Sequence, residues 1–157
     1  MIKSIKLLGL LAFIFSSISL YSQDLNALRK KHFNLEKSIA IQGFDPVSYF
    51  TAAKAIKGNK QYAYNYGNAI YYFSSSTNLE LFKASPNKYE PQFGGWCAYA
   101  MGNTGEKVEV DPKTFKIVGG KLYLFYHTLF NNTLDTWNKS ESTLLSQANN
   151  NWKKIFK

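Results

Sequence analysis

The side chains in this sequence best suited to chemistry are Cys97, His127, Asp45, Asp111 and Ser48. Cys97 is the only cysteine, so it forms no intrachain disulfide. In an oxidising compartment it must be buried, metal-bound, reactive or paired with another molecule. Burial is the default for a free thiol, which behaves as a small hydrophobe. A metal site would combine Cys97, His127 and a carboxylate such as Asp45 or Asp111, and copper suits that ligand set. A nucleophilic role would need an adjacent base, and His127 is the candidate. Ser48 lacks the Gly-x-Ser-x-Gly elbow of serine hydrolases. Asp45 and Asp111 each precede a proline, a pattern that caps and turns explain as well as ligation does.

The elements that must position these groups are readable in part. Gly94-Gly95 before Trp96-Cys97-Ala98-Tyr99 marks a backbone turn into a packed interior. Tyr62, Tyr64 and Tyr66 alternate along one arm of a hairpin, Gly67-Asn68 turns, and Ile70 to Phe73 returns. A second hairpin pairs Phe115–Val118 with Lys121–Tyr126 across Gly119-Gly120. Its second arm is apolar on both faces, Leu122, Leu124 and Tyr126 opposite Tyr123 and Phe125, and is expected to be central. Thr77 and Glu80 form a capping-box pattern for a helix that ends near Pro86. Leu134 and Trp137, then Leu145, Ala148, Trp152 and Ile155, predict a helical C-terminus, with Ser140 or Ser142 capping a separate last helix. Residues 23–38 form a polar lead-in with a short helix and an exposed His32. The expected class is α+β: a small antiparallel sheet of two hairpins covered by short helices.

Composition and address narrow the function. Lys3 and Lys6, the apolar run Leu7 to Leu20 and the small Ser22 read as a secretory signal over residues 1–22. The run is shorter than the roughly 20 residues of a membrane-spanning helix. The protein is therefore expected to be secreted or periplasmic, touching a membrane only through the signal before cleavage. Loss of Lys3 and Lys6 takes the formal charge from +9 to +7. The remaining lysines are scattered, and no nucleic-acid motif accompanies them, so nucleic acid is not an expected partner. Aromatic residues make up 17% of the chain. Tyr62, Tyr64, Tyr71, Trp96 and Tyr99 could line a pocket for a small aromatic or sugar-like ligand, or simply build the core.

Four stretches in order resemble the YHS domain family, in its exported single-domain branch. They are Gly43-Phe44-Asp45-Pro46-Val47-Ser48-Tyr49-Phe50, Ile70-Tyr71-Tyr72-Phe73-Ser74-Ser75, the segment from Leu81 to Tyr89, and Gly94-Gly95-Trp96-Cys97. The resemblance spans roughly residues 40–126 within a YHS-like domain over 39–157. In the metal-handling branch, thiolates would stand where this chain has Ser48, Ser74 and Asn78. A hydroxyl or an amide is a poor ligand for soft metals, so that site does not carry over.

The resemblance and the lone thiol together imply a non-enzymatic binding module. It would hold a copper-like metal ion or a small ligand near Cys97, with Trp96, Tyr99, Tyr62, Tyr64 and Tyr71 around it. The alternatives are a cofactor-free enzyme using Cys97 as thiol nucleophile, and a structural interaction domain exposing an apolar hairpin.

Overall fold

The computed structural model describes residues 24–157, and the signal-like segment lies outside them. A helix, α1, covers residues 24–32. Two short strands follow, β1 (Leu35–Glu36) and β2 (Ile39–Ala40), then a tight turn at Ile41–Gly43 and the helix α2 (Ser48–Thr51). The first hairpin is β3 (Asn59–Tyr66) with β4 (Ala69–Phe73). Gly67 and Asn68 both take positive φ, +55° and +65°, as a two-residue hairpin turn requires. Tyr64 stands opposite Tyr71, and the register slips once between Asn59 and Ala63.

The expected α+β class is what the chain adopts. Its two hairpins, however, lie in separate sheets. The first joins β1 and β2 in the order β1-β2-β4-β3, with β2 running parallel to β4 where Ile39 meets Ile70. The second hairpin, β5 (Asp111–Val118) and β6 (Lys121–Phe125), forms its own two-stranded sheet. β6 is nevertheless central to the molecule, because both of its faces are apolar. Leu122 and Leu124 pack into a core with Tyr71, Phe73 and Phe82. Tyr123 and Phe125 pack into another core with Trp137, Phe93 and Ala148. Burying each such side chain stabilises the fold by about 1.5–3 kcal/mol.

Between the hairpins run α3 (Ser76–Ala84) and α4 (Pro86–Tyr89), the turn Gln92–Gly95, and α5 (Ala98–Asn103). The cap of α3 is Ser75, whose hydroxyl accepts from the Asn78 amide, rather than the Thr77 expected from the capping-box pattern. Pro86 both stops α3 and opens α4, where its fixed φ suits a first helical position. A last, small hairpin, β7 (His127–Thr128) and β8 (Asn131–Asn132), precedes α6 (Thr133–Lys139) and α7 (Glu141–Ile155). Leu144 and Ala148 bury one stripe of α7 against α5. No helix among the described residues is long and apolar enough to cross a membrane.

Candidate functional site

Cys97 is delivered by the Gly94-Gly95 turn. Phe93, Gly94 and Gly95 all have positive φ, which Phe93 alone adopts against its side-chain preference. A Cβ at Gly94 would lie 2.7 Å from the Phe33 ring and 3.0 Å from its Cα, so only glycine fits. The turn places Cys97 just before α5, with no exposed surface. Its Sγ accepts the Tyr126 N–H at 3.3 Å and lies 3.5 Å from Thr133 Oγ1. Thr133 donates its one hydroxyl hydrogen to the Tyr126 carbonyl at 2.8 Å. With that hydrogen committed, the thiol is the donor in its contact with Thr133, and the sulfur links three chain segments. Such a thiol is a structural tie, without the access a nucleophile needs.

The residues expected around that sulfur are not gathered there. His127 has a side chain 41% exposed, with Nδ1 2.8 Å from Thr114 Oγ1 and 3.8 Å from Asp111 Oδ2. Asp45 is wholly buried, bonded to Ser48, Ser74 and Asn78. Among the described residues, no three of His, Cys, Asp and Glu are close enough to hold a metal ion. The Cys97–His127–Asp45 ligand set is thus not assembled.

Asp45 has a different task. Its Oδ1 accepts the amides of Val47 at 2.8 Å and Ser48 at 3.3 Å, and its Oδ2 accepts from the Ser74 amide, the Ser74 hydroxyl and the Asn78 side chain at 2.6–2.8 Å. The Ser48 hydroxyl returns a bond to the Asp45 carbonyl. With five donors on its two oxygens, the carboxylate has no lone pairs left for a metal. The turn chemistry expected at Asp45 and Asp111 is present at both, since Asp111 Oδ1 accepts the Lys113 amide.

Of the aromatic residues expected to line one pocket, Tyr62, Tyr64, Tyr71 and Tyr99 pack in the same core as Cys97, where they build interior rather than line a cavity, and Trp96 packs on the other core. Tyr71 is fully buried and donates to the Glu90 carboxylate; burial, with Glu90 adding to it, raises its pKa well above the usual tyrosine value. Tyr64 packs edge-on against Phe82, and Tyr62 lies half-buried over the same core. Trp96 donates its indole N–H to the His32 carbonyl at 2.7 Å. Tyr99 sits between the two cores. His32 is not the free surface residue expected. Its Nδ1 lies 3.0 Å from Lys107 Nζ, and its Nε2 is buried without a partner. Burial first, then the charges of Lys107 and Lys31, lower its pKa.

An aromatic-lined cleft does exist, elsewhere. It measures about 510 Å³ and lies between α1, the β3–β4 turn, α4 and the end of α7. Its floor is Arg29, the only arginine in the chain. The guanidinium donates to Gly67 O at 3.0 Å and Tyr66 O at 3.2 Å, and forms a two-pronged ion pair with Glu90. It lies 4.4 Å from the centre of the Phe33 ring and 4.9 Å from that of Tyr66. Burial works against its charge, but Glu90 holds its pKa above the ordinary value. The far wall is Trp152 stacked on Phe156, 5.3 Å apart and 19° from parallel. Sequence reasoning missed this site because its walls come from segments far apart in the chain. The one usable signal was the single arginine, the residue suited to a planar, two-pronged pair.

Leu129 and Phe130, at the tip of the β7–β8 hairpin, are 88% and 94% exposed. No family model, curated protein or solved structure matches the chain.

Proposed function

We propose that the chain is an exported, YHS-like binding module without catalytic activity, and that its ligand site is the α1–α7 cleft rather than the surroundings of Cys97. The observation that carries this reading is the cleft itself. It is large enough for a small molecule and lined by rings with a few polar groups, the usual makeup of a ligand pocket. The burial of Cys97, held by Tyr126 and Thr133, speaks against the thiol-nucleophile alternative. The copper reading loses its ligand set with the dispersal of Cys97, His127 and Asp45.

The YHS-like part is supported by one convergence. Ser48, Ser74 and Asn78, the three positions where that resemblance places thiolates, all hydrogen-bond to Asp45. The residues in place do not fit a soft metal, so no metal chemistry is ascribed to this chain.

The test is ligand-observed NMR with a mixture of small neutral fragments on the protein and on Asn87→Trp. Asn87 is exposed at the cleft rim, so the larger ring fills the cleft without entering the core. Fragment signals attenuated by the protein and restored by Asn87→Trp support the reading. No attenuation, or attenuation unaffected by the variant, removes it. For the YHS-like part, the triple variant Ser48→Cys, Ser74→Cys, Asn78→Cys is expected to take up about one equivalent of zinc where the parent takes up none. A folded variant that binds no zinc counts against the resemblance.

A further inference from the structure

The charge and shape of the cleft say what kind of molecule it takes. Among the described residues Arg29 is the only charged side chain lining it, and Glu90 pairs with that charge, both side chains being nearly nine-tenths hidden. Four of the five guanidinium N–H donors are spent, two on Glu90 and one each on Tyr66 O and Gly67 O. With its charge compensated by Glu90, the floor attracts an anion weakly, and among the described residues no carboxylate lines the cleft to hold a cation. What remains is a neutral ligand.

Two further features describe its form. Arg29 already lies over the Phe33 and Tyr66 rings, so the aromatic surface left to a ligand is that of the Trp152–Phe156 stack. Polarised C–H bonds of a saturated ring rest well on such faces. At the rim, Asn87 Oδ1 accepts from Tyr66 OH at 3.3 Å, while its Nδ2 has no partner among the described residues. That leaves an amide donor and a phenol oxygen able to accept side by side at the rim, a pair that suits hydroxyl groups. Resting on the cleft reading above, we propose that the ligand is a neutral sugar ring, packed by its C–H face on the Trp152 side and hydrogen-bonded by its hydroxyls to Asn87 and Tyr66.

The experiment titrates purified protein with glucose, N-acetylglucosamine and cellobiose, and with gluconate, glucosamine and indole as probes of opposite charge and of a ring without hydroxyls. Tryptophan fluorescence and amide NMR shifts read binding. Of the three tryptophans, Trp137 is wholly buried and Trp96 does not line the cleft, which leaves Trp152 as the reporter there. Neutral sugars are expected to bind, with gluconate and glucosamine at least about tenfold weaker. Trp152→Ala is expected to weaken sugar binding about tenfold. Should that variant unfold, Asn87→Trp and Tyr66→Phe, which keeps the ring and removes the hydroxyl, answer the question instead. Indole binding without any sugar binding overturns the sugar assignment and leaves the cleft reading standing. No binding of any probe overturns both. Sugar binding that survives Asn87→Trp places the sugar elsewhere and also overturns both.

Discussion

Asp45 and Cys97 invite comparison. Both are wholly buried, both stand just ahead of a short helix, and both tie together segments distant in the chain. They differ in how firmly they hold. The carboxylate takes five donors, four of them within 2.8 Å. The thiol has two partners at 3.3 and 3.5 Å. Hydrogen bonds to a charged acceptor are short and strong, whereas sulfur is a weak donor and a weak acceptor. The residue with the more reactive chemistry thus makes the weaker tie, and the residue that reads as a turn signal is the stronger anchor.

The largest test removes the stronger tie. Asp45→Ala leaves three backbone amides and two side chains without their acceptor, and is expected to cost about 3–5 kcal/mol in urea unfolding. A loss below about 1 kcal/mol would put Asp45 on a level with Cys97 and end the contrast. Alkali probes the same side of the molecule. Burial, followed by Asp111 and Asp45, raises the pKa of Tyr49, whose hydroxyl donates to Pro112 O at 2.9 Å. Tyr71 is raised as well, chiefly by burial. Stability from these phenols is complete below their unfolded pKa of about 10 and declines above it, by up to about 1.4 kcal/mol per pH unit for each. Thermal melts from pH 9 to 11 should show the decline, and Tyr49→Phe should flatten part of it.

Cys97→Ala leaves the Tyr126 N–H without its acceptor and is expected to cost about 1–2 kcal/mol; Cys97→Ser, which can donate and accept, should cost less. Equal losses in the two variants would mean that packing, not the hydrogen bonds, is what the sulfur supplies. The smallest effect belongs to acid, on the Cys97 side. His32, whose carbonyl receives the Trp96 indole N–H, has a lowered pKa. The unfolded chain takes up that proton first, so stability is complete above pH about 6.5 and falls as the pH drops below it. Melting temperatures between pH 7.5 and 5 should follow this trend, and His32→Leu should remove it.

Much of the fold was legible because its signals were local. The turns at Gly67-Asn68 and Gly119-Gly120 announced both hairpins, and the alternation in β6 announced burial on two faces. The division into two sheets was not legible, since it depends on which distant strand each edge meets: Ile39 pairs with Ile70, while Leu122 and Leu124 bridge to Pro91 and Cys97. The α3 cap was misplaced because three consecutive serines, Ser74 to Ser76, precede Thr77 and any of them offers an oxygen. Residue types were a poor guide to the site. Cys97 and Asp45 drew attention as reactive groups, yet each spends its capacity on holding the chain, and the cleft is made of rings that also read as core.

One strand serves both halves of the interior. Because β6 gives Leu122 and Leu124 to one cluster and Tyr123 and Phe125 to the other, neither half has a boundary of its own. The two clusters should lose structure in one step, and a cut on either side of β6 should leave no fragment able to stand alone. Evolution can rework the rim of this molecule freely, but it must inherit that partition whole.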